Sequence, residues 1–151
     1  MKVWAYIDPE LNVLCCALSK ESVPDDVEAI EFKVDNIDDV VYVDGIIRLK
    51  TDEEKREEIR KRKIEEIQQE VNMYLERIES TVLSEYAGRT IRDRKKYLAL
   101  VERIVGTRIY LREKLPKLSL EELKNFRVRN YISSVFIDVI SFKSMQKVLE
   151  Y

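Results

Sequence analysis

The stretch that decides the fold is Thr51–Tyr86, TDEEKREEIRKRKIEEIQQEVNMYLERIESTVLSEY. It contains no proline or glycine, and the next helix-breaking residue is Gly88. Thr51 and Glu54 have the spacing of a capping box, in which each side chain satisfies the backbone N–H of the other residue. The three residues after Thr51 are acidic, and negative charge is favourable at the N-terminus of a helix. This pattern predicts one long helix over 51–87.

Apolar residues recur along this helix in the three- and four-residue steps of a coiled-coil seam. The predicted seam consists of Ile64, Ile67, Val71, Tyr74 and Ile78. The repeat lasts about two heptads, whereas a coiled coil usually sustains three to four. Two interpretations follow. Either the helix packs on other helices of its own chain, or the seam mediates self-association into a homo-oligomer.

Residues 1–50, before the long helix, have the pattern of a small antiparallel β-module. The strongest signal is Asp44-Gly45 between two apolar runs, because this dipeptide favours the type I′ turn of a β-hairpin. Asp8-Pro9 and Pro24-Asp25 mark two earlier turns. Residues 29–34 alternate apolar and charged side chains, as a half-exposed strand does. We expect about five short strands.

Two more helices are predicted after the long one. Thr90 can cap a helix over 90–114, whose apolar residues include Ile91, Leu98, Val101, Ile104, Val105, Ile109 and Leu111. Ser119 and Glu122 form a second capping box, which predicts a third helix over 119–149. Its segment 135–142 is apolar on nearly all sides and also permits a strand. The chain is therefore predicted to be an α+β protein, with a β-module at 1–50 and a bundle of about three helices at 51–151.

The composition argues against a catalytic function. The 151 residues carry 27 basic and 29 acidic side chains, so the net charge of −2 gives no general attraction to nucleic acid or to a membrane. Histidine, the commonest general base and metal ligand, is absent, and only three glycines are available for phosphate-binding loops. We predict no enzymatic activity, no catalytic residues, no metal and no cofactor. The charged, histidine-free composition is also typical of thermophilic proteins.

The cysteines and the N-terminus indicate a cytoplasmic protein. Cys15 and Cys16 are adjacent and would point to opposite faces of a strand, so a disulfide between them is not expected. Free thiols indicate a reducing compartment. Residues 1–4 have no signal-peptide pattern, and no apolar run is long enough to span a bilayer.

A basic cluster at the start of the second helix is the main candidate for ligand binding. It consists of Arg89, Arg92, Arg94, Lys95 and Lys96. Cationic side chains neutralise phosphates, and the neighbouring Tyr97 ring is able to stack on a base. However, these residues cannot all share one face of a helix, and acidic residues lie nearby. An ordinary solvated or ion-paired surface is therefore the main interpretation, and phosphate or nucleic-acid binding is the alternative.

Residues 1–67 contain several short motifs in a fixed order. They are Ala5-Tyr6-Ile7-Asp8, Asn12-Val13-Leu14, Val23-Pro24-Asp25, Tyr42-Val43-Asp44-Gly45-Ile46-Ile47 and Thr51-Asp52-Glu53-Glu54-Lys55. In this order they resemble the N-terminal module of small bacteriophage tail-associated proteins, including tail-fibre accessory and assembly proteins. The resemblance implies a viral assembly or chaperone protein whose partner is a phage tail or fibre component, located in the host cytoplasm or the virion. It does not extend to residues 88–151.

Three classes of function stay open at this point. The expected one is a non-enzymatic protein–protein assembly protein with a phage tail or fibre partner. The second is a small nucleic-acid-binding or regulatory protein that uses the basic cluster at 89–97. The third is an enzyme with an unfamiliar site built on carboxylates, which a deep pocket with converging Asp or Glu side chains would favour.

Overall fold

The computed structural model describes residues 1–86 and 90–150, without the side chains of Ser84 and Glu85. Within these residues, β-strands occupy the N-terminal third and helices follow, so the predicted α+β class is confirmed. The chain divides into two compact units, Met1–Glu58 and a second unit that begins at Ile59. The first turns of the long helix therefore belong to the unit that contains the strands, whereas the sequence placed the boundary at residue 50.

The first unit contains two antiparallel sheets where the sequence predicted one. Its strands are β1 (Lys2–Ile7), β2 (Leu14–Ala17), β3 (Ile30–Lys33), β4 (Val40–Val43) and β5 (Ile46–Leu49). The order β2-β1-β3 makes a three-stranded sheet, and β4 pairs with β5 in a separate hairpin. The predicted Asp44-Gly45 turn is confirmed, because both residues have positive φ angles, 52° and 78°, and join β4 to β5.

The core of the first unit lies on one face of the three-stranded sheet. Val3 and Ala5 are fully buried there, together with Val34 and Val40. Ala5 is paired with Cys16, so the Cys16 thiol lies on this core face and the adjacent Cys15 on the other. Both cysteines are free, and partial burial raises the pKa of Cys16. The alternating pattern of the strands thus separates the two thiols.

Helices make up most of the second unit, and their bounds differ from the predicted ones in two places. They are α1 (Asp52–Thr81), α2 (Ile91–Lys114), α3 (Leu120–Asn125), α4 (Val128–Phe136) and α5 (Phe142–Leu149). The predicted helix 51–87 ends at Thr81 and is followed by a 3-10 turn at Leu83–Tyr86, while residue 87 lies outside the described residues. No helix in the described part of the chain is both long and apolar enough to cross a membrane.

The predicted helix 119–149 is divided into α3, α4 and α5. Its start is as expected, because Ser119 and Glu122 form the capping box that begins α3. A second cap lies within the predicted helix, where the Ser141 hydroxyl accepts a hydrogen bond of 3.2 Å from the Ser144 amide and begins α5. Arg127, between α3 and α4, has an extended backbone. Three short helices bring more apolar faces to the core than one straight helix with a single stripe would.

The core of the second unit contains the seam predicted on α1. Ile67, Val71, Tyr74 and Ile78 are at most 4% exposed, and Ile64 packs against them. The same cluster contains the following residues from the other helices: Leu100, Ile104 and Leu111 of α2, Leu123 of α3, Val128, Ile132 and Phe136 of α4, and Met145 and Val148 of α5. Self-association needs an exposed surface, and four of these five side chains are buried by helices of their own unit, whereas Ile64 is half-buried. In the structure, therefore, the seam of α1 packs on other helices of its own chain, which is the first of the two interpretations given above.

Candidate interaction groove on the helical unit

The basic cluster predicted at 89–96 is divided by the geometry of α2. Arg89 lies outside the described residues, and Arg92, Arg94, Lys95 and Lys96 are exposed. Lys95 and Lys96 line one pocket together with Tyr86, and the Lys96 ammonium lies 5.5 Å from the centre of the Tyr86 ring. Arg94 does not line this pocket, since it lies about 140° around the helix axis from Ala99, another residue of the pocket, whereas Lys95 and Lys96 lie within about 60° of Ala99. Of the four cluster residues that the structure describes, two therefore line the same pocket.

The pocket that contains the two lysines, here called the basic pocket, has a volume of about 510 Å³. Its other walls are Ala99 of α2 and the segment between α4 and α5, from Asp138 to Ser141. A second pocket of about 610 Å³ follows along α2 and is here called the aromatic pocket. It is lined by Gly106, Tyr110 and Tyr131, among others. Ala99 and Val139 line both pockets, so the two adjoin and form one groove between α2 and α4, the α2–α4 groove.

The groove exists because α2 has small side chains where α4 passes beside it. Ala99 and Gly106 are seven residues apart, and therefore lie on nearly the same line of the helix. A Cβ atom added at Gly106 would meet no other atom within 4 Å. Gly106 therefore marks neither a close contact with another helix nor a break in α2, which continues to Lys114.

A bidentate ion pair joins α2 to the segment after α4 where the two pockets meet. Arg103 Nη1 and Nη2 donate hydrogen bonds of 3.1 and 3.0 Å to the two carboxylate oxygens of Asp138. Arg103 Nη1 also donates a hydrogen bond of 2.8 Å to the Val135 carbonyl at the end of α4. The hydrogen bonds from Arg103 hold the pKa of Asp138 below its usual value. Arg103 thus attaches the end of α4 and the residues after it to α2, and neutralises Asp138.

Replacing Arg103 by glutamine is expected to raise the pKa of Asp138 toward the value of a free aspartate, because the cationic donor is lost. In the wild-type protein this pair stabilises the folded chain above the unfolded-state pKa of aspartate, about 3.9, and the stabilisation is lost as the pH falls through the lower folded-state value. A carbon-detected NMR titration of Asp138 in both proteins measures the shift. Glu54, whose pKa is lowered by Arg48 in the first unit, is the internal control and should not change. An unchanged Asp138 pKa in the variant would contradict this account.

The carboxylates of the groove do not converge on a cavity that would suggest a catalytic pair. Glu102 lines the aromatic pocket and Asp138 the basic pocket, where Arg103 already binds it. Among the residues that the structure describes, no group of three or more Cys, Asp or Glu side chains is placed to hold a metal ion. A smaller cavity of about 230 Å³ between α1 and α2 is lined by Gln68, Asn72 and Arg112, among others.

A second exposed surface, which the helical spacing had not been used to predict, lies on the outer side of α2. Its members are Ile91, Leu98, Val105 and Ile109, which are 80%, 54%, 48% and 50% exposed and are called here the outer α2 stripe. The buried face of α2 contains Leu100, Ile104, Thr107 and Leu111. On an ideal helix the centres of these two sets lie about 150° apart. The steps of seven from Ile91 to Leu98 to Val105 were the available signal, but the sequence analysis merged them with the core residues into one helical pattern.

Comparisons with known proteins identified no relative of this chain. No protein-family model matches the chain, and neither does any curated protein or solved structure. The similarity of residues 1–67 to bacteriophage tail-associated proteins therefore rests on the sequence motifs alone.

Proposed function

We propose that this chain is a small non-enzymatic assembly protein that acts through protein–protein contacts, in a bacteriophage tail or tail-fibre context. The observation that carries the assembly role is the outer α2 stripe. A helix that packs on one side only is polar on its opposite side, whereas α2 has large apolar residues there that are about half exposed or more. Exposed apolar patches of this kind mark protein interaction sites. Burial of the stripe in a contact would remove this apolar surface from water.

The partner of the outer α2 stripe in this proposal is a second copy of the chain. Arg94 and Arg112 flank the stripe on one side, and Glu102 and Glu113 flank it on the other, where Lys95 also lies. When two copies of such a helix pair in parallel, the basic flank of each faces the acidic flank of the other. The charges therefore favour a parallel, symmetric pair, and they disfavour an antiparallel one. Self-association through α2 takes the place of the α1 seam, which is buried within the chain.

The tail context is supported by the ordered motifs of residues 1–67, and it makes the host cytoplasm or the virion the proposed location. Its partner would be a phage tail or fibre component. Particles of the source phage should contain this polypeptide, or their fibres should assemble incompletely when its gene is deleted. The absence of both effects would remove the tail context and leave the assembly role to be decided by the oligomeric state.

Light scattering on a sizing column tests the assembly role. We expect a multiple of the 18.0 kDa chain mass for the wild-type protein, and a monomer for the double variant Leu98→Glu/Val105→Glu, because like charges replace the apolar contact. Ile59→Glu is the control, since it places the same charge at a 47% exposed isoleucine on another helix and should leave the oligomer intact. A wild-type monomer at every concentration, or an oligomer that survives the double substitution, would contradict the proposal. Absorbance at 260 and 280 nm, recorded together, shows whether nucleic acid copurifies, as the alternative nucleic-acid-binding function would require.

A further inference from the structure

We infer that the α2–α4 groove binds an acidic, amphipathic segment of a partner protein. This inference rests on the proposed assembly role and names a second contact surface for it. The groove lies beside the outer α2 stripe, and none of the four stripe residues lines it.

The length of the groove suits a helical segment. Its residues on α2 run from Lys95 to Tyr110, which spans about 22 Å at about 1.5 Å per residue. A partner helix of about 15 residues has this length. The two adjoining pockets provide room for its side chains, and the small residues Ala99 and Gly106 allow it to approach α2 closely. Binding of an amphipathic helix in an apolar groove is a common mode of peptide recognition.

One end of the groove favours negative charge. Lys95 and Lys96 line it, and among the described residues neither lysine forms a salt bridge. The nearby carboxylate of Asp138 is already neutralised by Arg103. Helix α5 begins at the same end, capped by Ser141, and a helix N-terminus adds a favourable field for an anion. The positive end contrasts with the net charge of −2 of the whole chain, and it predicts acidic residues at one end of the bound segment.

The rest of the groove favours apolar and aromatic side chains. Val135, Val139, Tyr131 and the 47% exposed Tyr110 line the aromatic pocket. Exposed tyrosines of this kind are frequent anchors in protein interfaces. A segment with acidic residues at one end and large apolar residues along one face is therefore complementary to the whole groove.

The same charges argue against nucleic acid as the occupant. A nucleic-acid strand carries a phosphate at every nucleotide, so its binding site needs cations along the whole length. In the α2–α4 groove the lysines are at one end, Arg103 in the middle is already bound to Asp138, and Glu102 lines the aromatic pocket. Nucleic acid is therefore one of the alternatives that the experiment below distinguishes.

The experiment selects the ligand without assuming its sequence. A yeast-displayed library of random 15-residue peptides is sorted for binding to the full-length protein and counter-sorted against Gly106→Leu. A Cβ atom at position 106 meets no atom within 4 Å, and leucine has a higher helix propensity than glycine. The leucine side chain occupies part of the groove. The melting temperature of the variant should be no lower than that of the wild-type protein. Enriched peptides should have Asp or Glu at one end and Leu, Phe, Tyr or Trp in helical spacing along the rest.

A fluorescein-labelled copy of the most enriched peptide then gives affinities by fluorescence anisotropy. We expect Gly106→Leu and Lys95→Glu/Lys96→Glu each to weaken binding at least tenfold, and the lysine variant to lose most of the salt dependence. Lys61→Glu/Arg62→Glu is the matched control, because it makes the same change of charge at two exposed residues of α1, outside the groove and the outer α2 stripe, and should change the affinity less than twofold. An unlabelled 15-nucleotide oligothymidine should not compete.

Three results would overturn the inference. The first is that every enriched peptide also binds Gly106→Leu, and the second is that the enriched peptides contain no acidic residues. The third is that the oligothymidine competes with the peptide and that the lysine variant abolishes this competition. Light scattering of the same variants separates this inference from the proposed self-association. Loss of peptide binding by a Gly106→Leu protein that still forms the wild-type oligomer is the expected result. An oligomer that never binds a groove-dependent peptide overturns the groove alone, and a peptide-binding monomer overturns self-association alone.

Discussion

Replacing Phe136 by alanine is expected to lower the free energy of unfolding of the helical unit by about 3–5 kcal/mol. Phe136 is the last residue of α4, is fully buried, and is the largest fully buried side chain among the described residues. Removal of the ring loses its transfer free energy and leaves a cavity that the neighbouring helices fill only in part. Urea unfolding followed by circular dichroism at 222 nm measures the change.

The chain offers a control with the same chemistry in a different environment. Phe142 is 78% exposed at the start of α5, so Phe142→Ala should change the free energy of unfolding by no more than about 0.5 kcal/mol. A large loss of stability in both variants would show that the exposed ring is also covered in solution. A small loss in both would mean that Phe136 does not lie in the core.

The second large effect is expected for Ile78, the last residue of the predicted seam. Ile78 is fully buried in the core of the second unit, so Ile78→Ala should lower the free energy of unfolding by about 2–5 kcal/mol. Because the partners of Ile78 belong to its own chain, this loss should be the same at low and high protein concentration. Urea unfolding at two concentrations a hundredfold apart makes this comparison.

Ile59→Ala is the control for Ile78, since it makes the same change on the same helix at a residue that is 47% exposed. It should change the free energy of unfolding by no more than about 0.5 kcal/mol. An Ile78→Ala loss that grows with dilution would mean that the seam contacts another copy. That outcome would favour the other interpretation of the seam.

Features specified by a few neighbouring residues were predictable from the sequence. The Asp44-Gly45 turn requires positive φ at adjacent positions, and this dipeptide tolerates it. The capping boxes at Thr51–Glu54 and Ser119–Glu122 each need two side chains three residues apart. These signals locate helix starts and a hairpin, and together with the alternating strands they are sufficient for the α+β class.

Features that depend on distant contacts were not predictable in the same way. The β4–β5 hairpin forms a sheet of its own, and nothing in its alternation indicates whether it joins β1. The division of 119–149 depends on how Phe136 and Ile140 enter the core, although Ser141 was a visible cap signal. The end of α1 at Thr81 likewise has no proline or glycine to mark it.

The candidate site lies between these two cases. The sequence analysis identified Lys95 and Lys96 as members of a basic cluster, and helix geometry indicated that the cluster would be divided among several faces. It gave no indication of the wall formed by Val135 and Val139, about forty residues later, because that wall exists only when α4 packs beside α2. For the seam on α1 the residues were predictable but their partner was not. Spacing alone does not show whether the apolar face of a helix packs on its own chain or on another copy.

The division of the chain into two units has a consequence for spectroscopy. The chain has one tryptophan, Trp4, which lies in β1 of the first unit, whereas most of the helical residues lie in the second. Tryptophan emission therefore reports on the first unit, and ellipticity at 222 nm reports mainly on the second. Coincident transitions by the two probes would indicate a single cooperative event, and separate transitions would give each unit its own free energy of unfolding. A screen by intrinsic fluorescence alone would follow the sheets and miss a loss of stability confined to the helices.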